Sequence, residues 1–163
     1  GGDVASWFAH YGPQRAKEIL KGLKANEVRL VAGNSTAVRM IATGQADICF
    51  TDTDDVYAAQ RNKWPVAFNH LDQGGHGSLT IPNTAAVIKD APHPDEAGEL
   101  MEFILGGRVE EMLAQSDSHN YPIRTEIAKR FEKYAIPRPL NVEYVRIADE
   151  LERAIKVARE VLR

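Results

Sequence analysis

Apolar residues recur at helical spacing along most of the chain. After Asp3, the residues Val4, Trp7, Phe8 and Tyr11 form one apolar face, and Gly12-Pro13 ends that helix. The same three- and four-residue spacing predicts further helices over residues 13–25, 37–42, 56–60, 95–105, 109–114, 125–134 and 144–162.

Shorter apolar runs lie between these helices. Residues 27–31, 46–50 and 64–68 predict strands, and 79–82 and 85–88 predict extended segments. Strands that alternate with helices are typical of an α/β protein, so we expect a three-layer arrangement with helices on both faces of a sheet. Cys49 lies in the second predicted strand and should therefore be buried.

The predicted elements suit one compact domain. An α/β lobe over residues 1–90 is followed by a C-terminal helical segment over residues 91–163, which we expect to pack on the lobe. In the last helix, apolar residues repeat with steps of four and three. This stripe favours docking on the protein's own sheet over a seam for self-association. Its members are Tyr144, Ala148, Leu151, Ile155, Ala158 and Leu162.

Composition excludes several classes of protein. Hydrophobic residues make up 44% of the chain and charged residues 26%, as in ordinary globular proteins. The net charge is −3 and no basic stripe occurs, so no nucleic-acid partner is expected. A single cysteine allows neither an internal disulfide nor a paired-cysteine zinc site. No apolar run is long enough to span a membrane. Because the chain opens on Gly1-Gly2 without methionine, we expect a processed protein or a piece of a longer one.

Three carboxylates follow the second predicted strand. Asp52, Asp54 and Asp55 lie where that strand meets a helix, which is where open α/β sheets bind ligands. Their charge would favour a cation or an amine, and a metal ion is one such cation. Aspartate is also a preferred capping and first-turn residue, so capping alone is an equal alternative. Asn34 and Ser35 begin another predicted helix and could contact the same ligand, although Ser35 is equally explained as an N-cap.

Other candidate chemistry is weaker. His70, Asp72 and His76, together with Asp54, could form an oxygen and nitrogen metal site, but a flexible glycine-rich connection explains that loop better. No serine has the context of a nucleophile elbow and Cys49 is predicted to be buried, so we do not expect an enzyme. The glutamates in the later helices are assigned to solvated faces. They are Glu99, Glu102, Glu110 and Glu111.

Several ordered segments together resemble one family. Asn34-Ser35, residues 44–48, residues 77–87 and residues 91–98 resemble the second lobe of the extracellular solute-binding proteins of bacterial ABC importers, in the iron(III)-type branch. Phe103-Ile104-Leu105 and residues 120–123 resemble the family's late helix and the loop that follows it. The resemblance covers roughly residues 4–125.

The resemblance implies one lobe of a type II periplasmic-binding-protein fold, located in the periplasm or outside the cell. It implies capture of a small solute or metal ion between two lobes and delivery to the membrane subunits of an ABC importer. Such proteins are about twice as long as this chain, so the N-terminal lobe would be missing. Their iron-binding members carry adjacent tyrosines at the positions of Asp54 and Asp55, which lowers the expectation of iron.

We therefore expect Asp54 and Asp55 to be the main ligand contacts, and the metal ligands if the cargo is a metal. Asp52, Asn34 and Ser35 would support them. The alternative is a truncated module that has lost transport and works through homo-oligomerisation or another protein–protein interaction. That alternative is motivated by the missing lobe and by the stripe of the last helix.

Overall fold

The computed structural model describes residues 2–163, and their regular structure is helical. The helices are α1 (Gly2–Ala25), α2 (Asn34–Ala42), α3 (Thr53–Arg61), α4 (Pro94–Ile104), α5 (Gly107–Gln115), α6 (Thr125–Ala128), a 3-10 helix (Lys129–Tyr134) and α7 (Tyr144–Leu162). Each stretch with helical periodicity overlaps a helix, although residues 125–134 are divided between α6 and the 3-10 helix. Within residues 2–163, no helix combines the length and the apolar character needed to cross a bilayer.

The predicted break in the first helix is present. Gly12 adopts φ 80° and ψ 165° inside α1, while the residues on either side remain helical. A residue that precedes proline is driven out of the helical region, and only glycine takes this positive φ without strain. Gly12-Pro13 therefore divides α1 into two helical segments.

The prediction of an α/β fold is wrong. Helix accounts for 56% of the residues and strand for 1%, and residues 2–163 form no sheet. The strand content within residues 2–163 is an isolated parallel bridge between Ser78 and Pro139. Residues 27–31, 46–50 and 64–68 have no ladder partner here, so the predicted three-layer lobe of a type II fold is not formed.

In these segments the local sequence pattern favours strands, but their backbones do not pair. A short apolar run favours an extended backbone, but a strand exists only when a neighbour accepts and donates its ladder hydrogen bonds. The apolar side chains of these runs are left in solvent: Ile48 is 88% exposed, Ile88 80% and Leu30 67%. Cys49 is exposed as well, so the prediction that it is buried is also wrong.

The chain divides into two compact units. Unit 1 comprises the chain up to Leu30 together with His70–Thr80 and Arg138–Arg163, and unit 2 comprises Val31–Asn69 and Ile81–Pro137. The expected organisation into residues 1–90 and 91–163 stays a prediction.

The core of unit 1 is formed by two helices. Phe8 and Leu20 of α1 are buried against Ala154 and Val157 of α7. Phe8 precedes the break at Gly12 and Leu20 follows it, and both pack against α7. Burial stabilises this contact by about 25 cal/mol per Å² of apolar surface. Helix α7 therefore docks on a helix and not on a sheet. The face that packs shares Ala158 and Leu162 with the predicted stripe, whereas Tyr144 is 48% and Leu151 37% exposed.

The core of unit 2 is smaller. Val38 of α2 is buried against Val56 and Ala59 of α3, and Val66 and Phe68 pack beside them. This contact fixes α2 against α3. It therefore also determines how close the first residues of the two helices lie.

Candidate functional site

The acidic cluster lies at the start of α3. Asp52 is the N-cap residue in an extended conformation (φ −89°, ψ 156°), and Asp54 and Asp55 occupy the first turn. Aspartate is favoured at both places because it complements the unpaired N–H groups and the positive end of the helix dipole. The side chain of Asp52, however, makes no capping hydrogen bond.

The Asp52 carboxylate instead contacts α2. The side-chain amide of Asn34 donates a hydrogen bond of 2.6 Å to Asp52 Oδ2. Asn34 is the first residue of α2, and the packing of Val38 on Val56 brings the two helix starts together. Two of the sequence-predicted site residues thus lie in direct contact.

The three carboxylates are close enough to share one ion. One oxygen from each of Asp52, Asp54 and Asp55 lies within 4.8 Å of the others. Two oxygens on opposite sides of a bound Ca²⁺ lie about 5 Å apart, so this separation is within reach of one cation. Asp52 and Asp54 are exposed and Asp55 is half-buried. The cluster lies on the surface of unit 2 and contributes to neither of the two cavities described below.

The cluster is electrostatically unfavourable by itself. Burial raises the pKa of Asp55 above its usual value, and the neighbouring charges of Asp54 and then Asp52 raise it further. Each of these causes disfavours the ionised form. A cation bound among the three side chains would remove the repulsion between them.

Ser35 follows Asn34 in the sequence, and Thr51 precedes Asp52. Helix α2 begins one residue before Ser35, and Gly33 is its N-cap, so the interpretation of Ser35 as the N-cap is wrong. Ser35 is exposed in the first turn. The Thr51 hydroxyl oxygen is buried and has no hydrogen-bond partner among the described residues. Its position next to Asp52 was visible in the sequence, but its burial was not.

The loop that contains His76 makes internal hydrogen bonds, which the prediction of a flexible connection did not include. Asp72 Oδ2 accepts the backbone N–H of His76 at 2.8 Å. Both residues belong to unit 1, whereas Asp54 belongs to unit 2. His76 contacts a histidine that sequence analysis did not select: the distance from its Nδ1 to His10 Nε2 is 3.0 Å. The two residues are 66 positions apart, and no local pattern connects them.

Two cavities are described, and both lie in unit 1. One, of about 230 Å³, is lined by Ala9, His10, Asn141, Val142, Glu143 and Arg146. The other is an open depression along α7, lined by Glu152, Ile155, Lys156, Arg159 and Glu160. Both acidic and basic side chains line the second cavity, so it presents neither a positive nor a negative surface to a ligand.

Comparison with known proteins identifies the class. Residues 2–116 match the family model described as bacterial extracellular solute-binding protein. The match covers more than half of the chain, so the chain belongs to this family, and the resemblance noted from the sequence is confirmed. It is a family of binding proteins and not of enzymes.

Among curated proteins, the chain is similar to two from Synechocystis sp. It is 26% identical to iron uptake protein A2 over 131 residues, and the aligned region covers 74% of this chain and 38% of that protein. It is 26% identical over 129 residues to iron uptake protein A1, covering 74% of this chain and 36% of that protein. The chain thus spans well under half the length of these relatives. No solved structure matches the chain.

Proposed function

We propose that this chain contributes the cation-binding surface of a periplasmic solute-binding protein, which captures a cationic solute or metal ion without covalent chemistry. Asp54 and Asp55 are the main contacts, and Asp52, Asn34 and Ser35 support them. The observation that carries the proposal is the approach of three carboxylates to within 4.8 Å at one helix start. Family membership supports a binding role, and the curated relatives are named for iron uptake.

The cargo is proposed to be a hard cation or an amine. Carboxylate oxygens are ligands for hard cations such as Ca²⁺, Mg²⁺ and Mn²⁺, and they also pair with ammonium groups. The adjacent carboxylates replace the tyrosine pair that the resemblance associates with ferric iron, so iron is the less favoured cargo. In this proposal a second lobe completes the site, and the membrane subunits of an ABC importer receive the cargo.

Calorimetry tests the site directly. The chain is titrated with Ca²⁺, Mn²⁺, ferric citrate and spermidine, and the titrations are repeated with the Asp54→Ala/Asp55→Ala double variant. The matched control is Asp95→Ala/Glu96→Ala, because this pair occupies the same first-turn positions of α4. We expect binding by the parent and the control and none by the Asp54/Asp55 variant. Binding that survives the Asp54/Asp55 substitutions would remove the site assignment.

A second candidate function is association through protein–protein contacts, including homo-oligomerisation. It is favoured by a specific observation: Ile48, Ile81 and Ile88 lie in extended segments of unit 2 with side chains at least 60% exposed. Apolar side chains in water are stabilised when a partner covers them. Sedimentation velocity at micromolar concentration distinguishes the candidates, since a strictly monomeric chain would exclude homo-oligomerisation.

A further inference from the structure

Unit 1 holds a pair of histidines in direct contact. The distance from His10 Nε2 to His76 Nδ1 is 3.0 Å, and the two rings stand at 79° to each other with their centroids 4.7 Å apart. His10 lies in α1 two residues before the break at Gly12, and His76 lies in the loop between Leu71 and Ser78. Both side chains carry nitrogen ligands, and neither is part of the acidic cluster.

The loop that carries His76 is held by its own hydrogen bonds. The Asp72 carbonyl accepts the N–H groups of Gly75 (3.0 Å) and Gly77 (2.9 Å), while the Asp72 carboxylate accepts that of His76 (2.8 Å). One residue therefore closes the turn on both sides of His76. The loop is compact in spite of its glycines.

A second set of contacts ties this loop to the segment before α7. Gln73 Oε1 accepts the N–H of Arg138 at 2.8 Å, and the Arg138 guanidinium donates to the Gly75 carbonyl at 2.7 Å. The N–H of Ser78 donates to the Arg138 carbonyl at 3.0 Å. His76 is thus exposed while its backbone is fixed, which is the arrangement that a preorganised ligand requires.

Tyr11 supports the pair from the other side. Its ring meets His10 and His76 edge-on, with centroids 4.7 Å and 5.3 Å away. Burial raises the pKa of Tyr11, and the charge of Asp72 and a hydrogen bond to its carboxylate raise it further. The tyrosine therefore stays neutral. The negative charge beside the pair belongs to Asp72.

The separation of the two nitrogens suits a shared metal ion. Two imidazole nitrogens at about 2.1 Å from one ion and at right angles to each other are about 3.0 Å apart, and at the tetrahedral angle they are about 3.4 Å apart. The observed 3.0 Å lies at the short end of this range, and the rings would turn so that both nitrogens point at the ion. His10 also lines the cavity of about 230 Å³ beside Glu143 and Arg146, so its ring can be reached from solvent.

We propose that His10 and His76 form a binding site for a divalent transition-metal ion of the zinc, copper or nickel class, with water completing the coordination. Imidazole nitrogen favours these ions over calcium and magnesium, which prefer oxygen. Without metal, one ring donates its N–H to the ring nitrogen of the other. This site is separate from the carboxylates of α3 and takes a different class of ion.

Calorimetric titration of the whole chain with Zn²⁺ and with Ni²⁺ tests the proposal. His10→Gln and His76→Gln should each weaken binding at least about ten-fold, since losing even an indirect support of a metal ligand has that effect. The matched control is His93→Gln, an exposed histidine at the N-cap of α4 in unit 2. His93→Gln should bind Zn²⁺ as the parent does. Circular dichroism and thermal melting verify that each variant is folded.

The pH dependence gives a second measurement. Imidazole must be deprotonated to bind a metal, so Zn²⁺ affinity should be lower in acid than at neutral pH. Zn²⁺ binding that persists in both His10→Gln and His76→Gln would overturn the proposal, as would no Zn²⁺ binding by the parent. Loss of Zn²⁺ in the Asp54/Asp55 variant alone would also overturn it. That result would place the ion at the acidic cluster and support the proposed function.

Discussion

Asn34 and Asp52 join the starts of two helices through a hydrogen bond. The amide nitrogen of Asn34 lies 2.6 Å from the Asp52 carboxylate, so α2 donates to a charged group that would otherwise cap α3. Asp52 is thereby held near Asp54 and Asp55, although all three carry negative charge. The contact therefore connects the packing of α2 on α3 to the geometry of the proposed cation site.

Removing this bond should loosen the site. Asn34→Ala is expected to lower the free energy of unfolding by about 0.5–1 kcal/mol, the range for a hydrogen bond that solvent can partly replace. Urea denaturation measures the change. Ser35→Ala is the neighbouring control, since it lies in the same exposed turn and makes no capping bond; it should change stability by less than about 0.5 kcal/mol. Equal losses in the two variants would show that the Asn34 contact contributes nothing specific.

Neutralising Asp55 should stabilise the protein at neutral pH. Its pKa in the folded state is raised by burial and by Asp54 and Asp52, so its ionised form is less favourable folded than unfolded. The parent should lose stability relative to Asp55→Asn as pH rises above the usual value of 3.8. Below that value the carboxyl is protonated in both states, and the difference should vanish. Thermal melting of both proteins from pH 3 to pH 7 measures this difference in stability.

The matched control, Asp95→Asn, is expected to change stability in the opposite direction from Asp55→Asn. Asp95 occupies the first turn of α4 outside the carboxylate cluster, where its charge complements the helix dipole. Asp95→Asn should therefore cost a few tenths of a kcal/mol, while Asp55→Asn should gain up to about 0.5 kcal/mol after allowance for solvent screening. Destabilisation by Asp55→Asn would mean that helix capping outweighs the repulsion in the cluster.

Gly77 should not tolerate a side chain. Its φ is +98°, and a Cβ atom there would lie 2.5 Å from the Arg138 carbonyl oxygen. Gly77→Ala combines backbone strain with a clash and should destabilise unit 1 by about 2 kcal/mol or more. Gly74→Ala in the same loop meets nothing within 4 Å and should be tolerated. Chemical denaturation compares the two, and similar stabilities would contradict this account of the loop.

The helices were predictable because their signal is local. The break at Gly12-Pro13 and the apolar faces of α1 and α7 depend on residues within a few turns of each other. The same spacing could not choose the packed face of α7, because Ala154 and Val157 meet Phe8 and Leu20 from the other end of the chain.

The strands were not predictable in the same way. Ile48 and Ile88 lie in runs that favour extended backbone, but a sheet depends on partners that the local sequence does not specify. The candidate site was partly predictable, since Asp52, Asp54 and Asp55 are nearly consecutive. The contacts from Asn34 to Asp52 and from His10 to His76 arise only when the chain folds.

Glu110 is a further residue whose role the sequence did not reveal. Helical spacing assigned it to a solvated face, yet its side chain is only 15% exposed. It accepts hydrogen bonds from the N–H groups of Ile123 and Arg124 and from the Arg124 guanidinium. Burial raises the pKa of Glu110, but these donors outweigh it and hold the pKa below its usual value.

Glu110→Ala should therefore lower the free energy of unfolding by about 1–3 kcal/mol, because two backbone N–H groups lose their partner. For a lowered folded-state pKa, the stabilisation is present above the usual value of 4.5 and is lost as pH falls through the folded-state value. Denaturant titrations at pH 7 and pH 3 measure the stability lost in Glu110→Ala and its dependence on pH. Glu99→Ala, exposed on α4, is the control and should change stability little. A Glu110 effect of the same size at both pH values would argue against the charge-assisted contacts.

Association of the chain should depend on its uncovered isoleucines. Ile48 and Ile88 are 88% and 80% exposed, and burial of each at an interface is worth about 1.5–3 kcal/mol. Ile48→Thr/Ile88→Thr keeps the branched shape and the net charge, so it should shift a self-associating chain toward monomer by at least about ten-fold in concentration. Val145→Thr is the control, because Val145 is 73% exposed on α7 in unit 1. Sedimentation velocity over a concentration series measures all three. If both variants sediment as the parent does, the extended segments of unit 2 are not the associating surface, and the second candidate function loses its support.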